Sequence, residues 1–441
     1  MKKNLFLGVL FVTLSVFSLT AQVKKREISE QYRRSSLCMV MLEDPNLDAS
    51  VAGLVKEAFI NNPMPPKYND HGIDKSICTF SYSDVTVTDA DKKAYNALTG
   101  KKEQSAIANI AKDYAAEILA LDPNKDEAPY VAYKYLQDKE FAKKLMARWW
   151  GADNPDNATI NTNLLHERVA WNATELEKVA AEEATTGRSP IEYLMDNGGD
   201  EIVGNTFVPV TRFRYLSAED LAAEVVAYAK MAASLIPIPT AQQIAMTAAE
   251  GAGMAITARG GYFVYSTTYL YRLRWNEEIF NAINKAPEIE KFNALDCFEL
   301  DYIGSEKAYC SVAAKKYSQE EAVKKATSRA LDKVLSKLER EYEVFRTKTP
   351  LATIEPNMTA NIGTKECIEE GDKYEILMRQ IDPKTQKETY KVIGKIKVDT
   401  VGNNMGEDND DENASTNTFT TFKGKVPKNA APGMLIRQTK K

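Results

Sequence analysis

Apolar residues in the first part of the chain form short segments that predict a strand, a helix and a second strand. The run SSLCMVML at residues 35–42 predicts a short buried strand, and residues 48–62 predict a helix that ends at Pro63. Residues 76–87 alternate apolar with small polar side chains, which is typical of a strand. Residues 93–184, whose first part is rich in Ala, Lys and Glu, predict a helical insertion.

The strongest strand patterns lie in the middle of the chain. Residues 205–216 alternate, but Pro209 has no N–H to donate to a ladder, which predicts an edge strand or a bulge. Residues 262–276 predict a long strand, and residues 298–312 predict a hairpin that turns near Gly304. We expect these segments to build the sheet of the first domain.

Two helices are introduced by capping signals. Residues 217–220 match a capping box ahead of the Ala-rich residues 221–235, and residues 318–321 match a second one. After the second box, apolar residues recur at helical spacing from Val323 to Phe345. A helix with one continuous apolar face buries that face, so we expect this helix to lie across a sheet.

The pattern changes to strands and turns near residue 349. Residues 374–381 and 390–398 predict strands, and the polar, acidic residues 406–418 predict a flexible loop. The chain as a whole therefore predicts an α+β protein. Its N-terminal mixed sheet with the helical insertion would occupy residues 22–348, and a small β-barrel-like domain would occupy residues 349–441.

The first 21 residues have the pattern of a secretion signal. Lys2 and Lys3 form a positive start, residues 5–17 are almost wholly apolar, and Ala21 suits a cleavage position. The apolar run is shorter than the about 20 residues that span a bilayer, so we expect export and not an integral membrane protein. The predicted location is the periplasm, the outer membrane or the outside of the cell.

Composition narrows the possible partners. The 441 residues include 44% hydrophobic and 27% charged residues, as in ordinary globular proteins. The formal net charge of −5 becomes −7 once Lys2 and Lys3 leave with the signal, and no dense basic cluster exists, so we expect no nucleic acid partner. An exported chain can form disulfides, but the cysteine count is odd, which leaves at least one without a partner in the same chain. The five are Cys38, Cys78, Cys297, Cys310 and Cys367.

Six phrases in the chain resemble a family of uncharacterised secreted proteins from Bacteroidetes bacteria. The phrases are YRRSSL (32–37), PPKYNDH (65–71), GNTFV (204–208), FRTKTPL (345–351), NIGTKE (361–366) and PGMLIR (432–437). The family has no assigned reaction, so the resemblance implies export and names no functional residue. The C-terminal pattern is also similar to the small Src-homology-type barrels of envelope and flagellar assembly factors. The order of the earlier elements is similar to the N-terminal domains of curli-secretion and TolB-type proteins, apart from the helical insertion.

The sequence lacks common catalytic signatures. The patterns G-x-S-x-G, H-E-x-x-H and S-x-x-K and the P-loop do not occur, and His71 and His166 are the only histidines. Residues 122–126 and 408–412 begin like calcium-binding loops but depart from that pattern further on. We therefore identify no catalytic, metal-binding or cofactor-binding residue from the sequence.

The aromatic strand at residues 262–276 is the one segment whose pattern favours binding. Tyr265, Tyr269, Tyr271 and Trp275 fall on one face, and a flat aromatic face can stack on sugar rings or on a partner protein. The alternative is that this face belongs to the core beneath the helix that follows residue 318, because a half-buried sheet also needs apolar residues at every second position. The exposure of the rings decides between the two interpretations.

Three functional hypotheses follow. The first is an exported, non-catalytic protein that binds another macromolecule in the envelope or outside the cell. The second is a glycan-binding module that uses the aromatic strand. The third is a hydrolase with a pair of carboxylates that the sequence does not reveal, which requires a cleft that gathers two or more of them.

Overall fold

The structure is a computed structural model. Strands and helices are interspersed along its described residues before position 350. The structure describes residues 35–62, 68–69, 78–99, 127–172, 202–234, 237–259, 261–312, 317–381, 388–403 and 417–439. The strands of the first part are β1 (Ser35–Leu37), β2 (Val40–Glu43), β3 (Tyr68–Asn69), β4 (Cys78–Ser81), β5 (Thr206–Ser217), β6 (Tyr262–Leu273) and β7 (Leu300–Val312).

The helices of the described residues are mostly amphipathic and cover the two faces of the sheet. They are α1 (Ala49–Asn61), α2 (Asp89–Thr99), α3 (Ala128–Asp138), α4 (Phe141–Trp149), α5 (Thr162–Asn172), α6 (Ala218–Ser234), α7 (Pro239–Arg259), α8 (Glu277–Asn284), α9 (Ile289–Asn293) and α10 (Gln319–Glu341). This arrangement confirms the predicted α+β class with a mixed sheet.

The sheet combines parallel and antiparallel pairing. The strands β1 and β2 follow each other along one side of β5 and run parallel to it, and β3 and β4 pair parallel to them on the outside. On the other side, β6 pairs antiparallel to β5, and β7 pairs antiparallel to β6. The long strand β5 is therefore central.

The prediction that Pro209 marks an edge strand is wrong. The amide of Cys38 donates to the carbonyl oxygen of Phe207 at 2.9 Å. The backbone N–H and C=O groups of Phe207 therefore point towards β1. Pro209, two residues further on, directs its nitrogen to the same side, where the neighbouring strand is interrupted between Leu37 and Val40. The missing N–H therefore coincides with a gap in the ladder, and a central strand accepts the proline.

The predicted hairpin over residues 298–312 is also wrong. The segment forms the single continuous strand β7, and Gly304 lies within it instead of at a turn. A Cβ atom at Gly304 would lie 2.1 Å from the hydroxyl oxygen of Tyr342. The glycine therefore serves the close approach of this tyrosine, whose hydroxyl accepts a hydrogen bond from the Ser305 amide at 3.1 Å.

The predicted helix after residue 318 does lie across the sheet. The Ser318 hydroxyl accepts from the Glu321 amide at 3.3 Å, and the Glu321 carboxylate accepts from the Ser318 amide at 3.0 Å, which completes the capping box of α10. The apolar side of α10, including Leu331 and Leu335, packs with α1 on the face of the sheet that carries Val264. The other face is covered by α3, α4, α8 and α9.

The strands after residue 348 form a closed barrel, as the sequence predicts. They are β8 (Thr349–Thr353), β9 (Met358–Ala360), β10 (Lys373–Ile381), β11 (Glu388–Thr400), β12 (Thr420–Lys423) and β13 (Leu435–Gln438), and they close in the order β10-β11-β12-β9-β8-β13. The barrel contacts the end of α10 through Arg340, whose guanidinium donates to the carbonyl oxygen of Cys367 and lies 3.4 Å from the carboxylate of Asp372.

Several predicted segments lie outside the described residues. These are the secretion signal at residues 1–21, residues 100–126 and 173–184 of the helical insertion with the calcium-like stretch at 122–126, most of the acidic loop at residues 406–418, and His71. All five cysteines lie within the described residues; Cys38 is buried and the other four are half-buried. Among the helices that the structure describes, none has the length and apolar content needed to cross a membrane.

Candidate interaction surfaces

The aromatic residues proposed as a binding face belong to the core. Tyr265, Tyr269 and Tyr271 are 3%, 6% and 1% exposed, and Trp275 is half-buried with its ring 5.3 Å from that of Trp150. A ring that stacks on a sugar must present one free face to the solvent, and these three tyrosines present none. The expectation of an exposed glycan platform on β6 is therefore not met.

The elements that cover these tyrosines do not include the helix that the sequence suggests. The helix α10 packs on the opposite face of the sheet, whereas Tyr271 meets the ring of Tyr302 at 5.4 Å and lies in the core that α3 and α4 contribute to. Burial in this apolar site raises the pKa of Tyr271 well above its usual value. Tyr265 is covered separately, by Leu221 and Val225 of α6.

The helices α6 and α7 form a hairpin inserted between the strands β5 and β6. Small residues allow the two helices to approach closely, because a Cβ atom at Gly253 would lie 2.6 Å from the Val226 side chain. Ala249 is buried in the same contact region, and Ile256 packs towards Tyr265 and the base of the hairpin. The inner side of α7 is thus fully used in packing against α6 and the sheet.

The outer side of α7 is exposed and uncharged, and we call it the α7 outer face. Ile244 and Met254 are 71% and 69% exposed, and Ile238, just before the helix, is 58% exposed. The face consists of the exposed residues Gln243, Ile244, Thr247, Ala248, Gly251, Met254, Ala255 and Ala258.

The residues of the α7 outer face follow a repeat that suits helix packing. Ile244, Ala248, Gly251, Ala255 and Ala258 are separated alternately by four and three positions, which is the spacing of a helix–helix seam. A Cβ atom at Gly251 would have no heavy atom within 4 Å among the described residues. The seam is therefore present in the sequence, but no described part of the chain packs on it.

The structure also contains a cleft, of about 280 Å³, between the α3–α4 corner and the segment before β7. We call it the corner cleft. The apolar part of its lining consists mainly of Leu136, Phe141 and Leu300, which are buried, and of the half-buried Phe298. Glu140, at the corner itself, has the left-handed backbone with φ 48°, which is uncommon for a residue other than glycine.

Three carboxylates line the corner cleft. Glu299 forms an ion pair with Arg274, and the Glu140 carboxylate lies 4.0 Å from the ammonium of Lys143. Asp296 is exposed beside them. Within the part of the chain that the structure describes, no three acidic, histidine or cysteine residues converge as they do around a metal ion.

The two surfaces differ in how far a sequence pattern could reveal them. The α7 outer face has a recognisable signal, because residues 239–258 contain Glu250 as their only charged residue. The corner cleft has none, because Glu140 and Asp296 are more than 150 positions apart and only the fold brings them together. His166 lies in α5, half-buried, and lines neither surface.

Comparison with known proteins does not extend this description. No protein family model matches the chain, and no curated protein matches it either. The two surfaces are therefore interpreted from their geometry, and membership in the secreted Bacteroidetes family stays a prediction.

Proposed function

We propose that this protein is exported and acts without catalysis, by binding another macromolecule of the envelope or the cell exterior through the α7 outer face. The observation that carries the proposal is the exposure of Ile244 and Met254 on a helix face without charge. Exposed apolar patches of this kind mark sites of interaction between proteins.

The packing of α7 favours a helix or a flat protein surface as the other side of the contact. Small residues such as Ala248 and Gly251 let a partner backbone come close, while Ile244 and Met254 supply larger apolar contacts beside them. The one nearby charge is already neutralised, since Glu250 pairs with Lys230 of α6 at 2.9 Å. A partner would therefore bury this face without leaving an unpaired charge.

A second candidate function, hydrolysis, is favoured by one observation, the three carboxylates of the corner cleft. Carboxylate pairs of hydrolases need one group that acts as an acid and one that acts as a base or nucleophile. Glu299 is already held by Arg274, which leaves Glu140 and Asp296 for such roles. We rank hydrolysis below binding because two of the three carboxylates already have a basic side chain beside them, Arg274 for Glu299 and Lys143 for Glu140.

The test of the binding proposal uses charge introduced on the α7 outer face. The double variant Ile244→Glu with Met254→Glu should fold as the parent does, since both side chains are exposed. The matched control is Val426→Glu, which adds a charge at a 39% exposed apolar position after β12. Tagged proteins would be cross-linked in the host cell, purified from envelope fractions, and any partner then reconstituted in purified form.

We expect the partner to be recovered with the parent and with Val426→Glu and to be lost with the double variant. Equal recovery with all three proteins would contradict the role of α7. Recovery of the protein in the cytoplasm with its first 21 residues intact would contradict the proposal of export.

A further inference from the structure

We propose that the tip of the α6–α7 hairpin inserts into the surface of a lipid bilayer. The hairpin tip consists of residues 237–240, at the end of the hairpin that is far from the sheet. Lipid binding of this kind goes beyond the proposed function, because it does not require a protein partner on the α7 outer face.

The hairpin replaces a simple turn between two paired strands and projects from the end of the sheet. Ser217, the last residue of β5, pairs with Tyr262, the first residue of β6, so the hairpin begins and ends side by side. Its base contacts the sheet through Leu221 and Val225, which pack with Tyr265. Beyond this base, the described parts of α6 and α7 pack mainly on each other. The 17 residues of α6 extend for about 25 Å, which places the tip well outside the sheet.

The hairpin tip presents apolar side chains to the solvent. All four of its residues are exposed, and Ile238 is 58% exposed between two prolines. Ile244, less than two turns further along α7, is 71% exposed. A projecting apolar tip enters a bilayer without needing a complementary shape, whereas a protein partner would have to supply a pocket for it.

The backbone of the tip also suits an apolar surrounding, in which an N–H group without an acceptor is costly. Pro237 and Pro239 have no backbone N–H, and Pro239 is the first residue of α7, a position that favours proline. The carbonyl oxygen of Ile238 accepts a hydrogen bond from the Gln242 amide at 2.9 Å. Insertion of these three residues therefore takes only one backbone N–H group, that of Ile238, out of water.

The distribution of charge along the hairpin matches insertion from the tip. Residues 231–249 contain no Asp, Glu, Lys or Arg, although 27% of the chain is charged and about five would be expected in 19 residues. The nearest charged residues, Lys230 and Glu250, form an ion pair at 2.9 Å across the two helices. Glu250 lies about 18 Å from Ile238 along α7, which exceeds the depth of about 5–10 Å that interfacial helices reach. The ion pair therefore stays in water when the tip is in lipid.

The experiment measures flotation of the purified chain with lipid vesicles in a density gradient. The protein starts at Gln22, so that the apolar residues 5–17 cannot insert instead. The vesicles consist of phosphatidylcholine, or of phosphatidylcholine and phosphatidylglycerol in equal parts. The tip variant is Ile238→Glu, and its matched control is Val426→Glu, which adds the same charge at a 39% exposed apolar position after β12.

We expect the parent and Val426→Glu to float with both kinds of vesicle. Ile238→Glu should bind at least about tenfold more weakly, because a charged side chain does not enter the apolar layer. Ile238→Leu keeps an apolar side chain and should float as the parent does. Equal flotation of Ile238→Glu and the parent would overturn the proposal, and so would a parent that floats with neither kind of vesicle.

The two lipid compositions test which force is responsible. Attraction to anionic headgroups requires Lys or Arg close to the surface, and the hairpin tip has neither. We therefore expect similar binding to neutral and anionic vesicles. Binding to the anionic vesicles alone would place the contact elsewhere on the chain and contradict insertion of the tip.

A second copy of the chain is the other occupant that must be distinguished. If ultracentrifugation without lipid showed a dimer for the parent and a monomer for Ile238→Glu, the tip would be a contact between copies and the lipid proposal would fail. Met254→Glu keeps this result separate from the test of the proposed function, because Met254 lies about 24 Å from Ile238 along α7. This variant should float normally even if it loses the protein partner, whereas Ile238→Glu should retain that partner.

Discussion

The helices α7 and α10 are of similar length, 21 and 23 residues, but they meet their surroundings in opposite ways. In α10, eleven residues are buried against the sheet, and the charged residues of its other side contact neighbouring groups. Lys324, for example, lies 2.7 Å from both Glu57 and Glu320. In α7, the inner side packs by means of Ala249 and Gly253, whereas Ile244 and Met254 on the outer side are largely exposed.

This difference shows that the distribution of charged residues on a helix indicates which of its sides faces water. A helix that faces water on one side normally has charged residues there, as α10 has. The α7 outer face departs from this rule over about four turns, and such a departure is expected where a second surface covers the helix. The proposed function rests on this contrast, and three measurements test it.

The largest effect is expected from truncating the core side of α10. Leu335→Ala should lower the free energy of unfolding by about 2–5 kcal/mol, because Leu335 is 1% exposed and its removal leaves a cavity. The matched truncation on α7, Ile244→Ala, should change it by less than about 0.5 kcal/mol, because that side chain is 71% exposed. Urea unfolding followed by circular dichroism measures both. A similar loss in the two variants would mean that α7 is already covered in the isolated protein.

An intermediate effect on stability is expected from substituting two glycines of α7, and its sign differs between them. Gly253→Ala should destabilise, because its Cβ atom would meet Val226 at 2.6 Å, and overpacking costs about 1–3 kcal/mol against a gain in helix propensity of about 1 kcal/mol. Gly251→Ala has open space around it and should stabilise by about 0.4–1 kcal/mol. Thermal unfolding of the two variants against the parent is the measurement. Destabilisation by both would contradict the open outer face.

The smallest effect concerns the start of α10 and depends on pH. Hydrogen bonds from the Ser318 hydroxyl and the Ser318 amide hold the pKa of Glu321 below its ordinary value of 4.5. A carboxyl whose pKa is lower in the folded state stabilises the fold above its unfolded pKa, and this contribution disappears as the pH falls through the folded value. The parent should therefore unfold at a slightly higher temperature than Glu321→Gln at pH 7.

The difference between the parent and Glu321→Gln should fade as the pH falls below 4.5. Ser318→Ala removes the hydroxyl donor of this carboxylate and leaves the amide donor, so Glu321→Gln in that background is the control and should have a smaller effect at pH 7. A pH-independent difference between the parent and Glu321→Gln would show that the capping box does not hold the carboxylate.

Much of the fold could be predicted because its signals are local. The Ser318–Glu321 capping box, the apolar side of α10 and the alternation in β5 and β6 depend on spacings of two to four residues, and the structure confirms them. The closed barrel after residue 348 also agrees with the change in pattern seen there. Such spacings determine which side of a helix or strand is buried, whatever covers it.

The incorrect predictions concern residues whose role depends on distant parts of the chain. A glycine such as Gly304 is typical of a turn, but here it makes room for Tyr342, which lies 38 positions later in the chain. Pro209 is typical of an edge, but the interruption of the neighbouring strand near Cys38 accommodates it. In the barrel, Val392 has the same strand spacing as the buried Ile396 and Val398 and is still 40% exposed, because a register shift against β10 places Ile393 on the core instead.

Local patterns in the sequence are sufficient to predict the α+β class, the position of most described elements and the uncharged character of α7. Only the tertiary structure decided that Tyr265, Tyr269 and Tyr271 are core residues, since alternation shows which side chains share a face but not what packs on it. Only the tertiary structure, likewise, brought Glu140 next to Asp296. Contacts between distant segments arise from packing of the whole chain, and no local spacing encodes them.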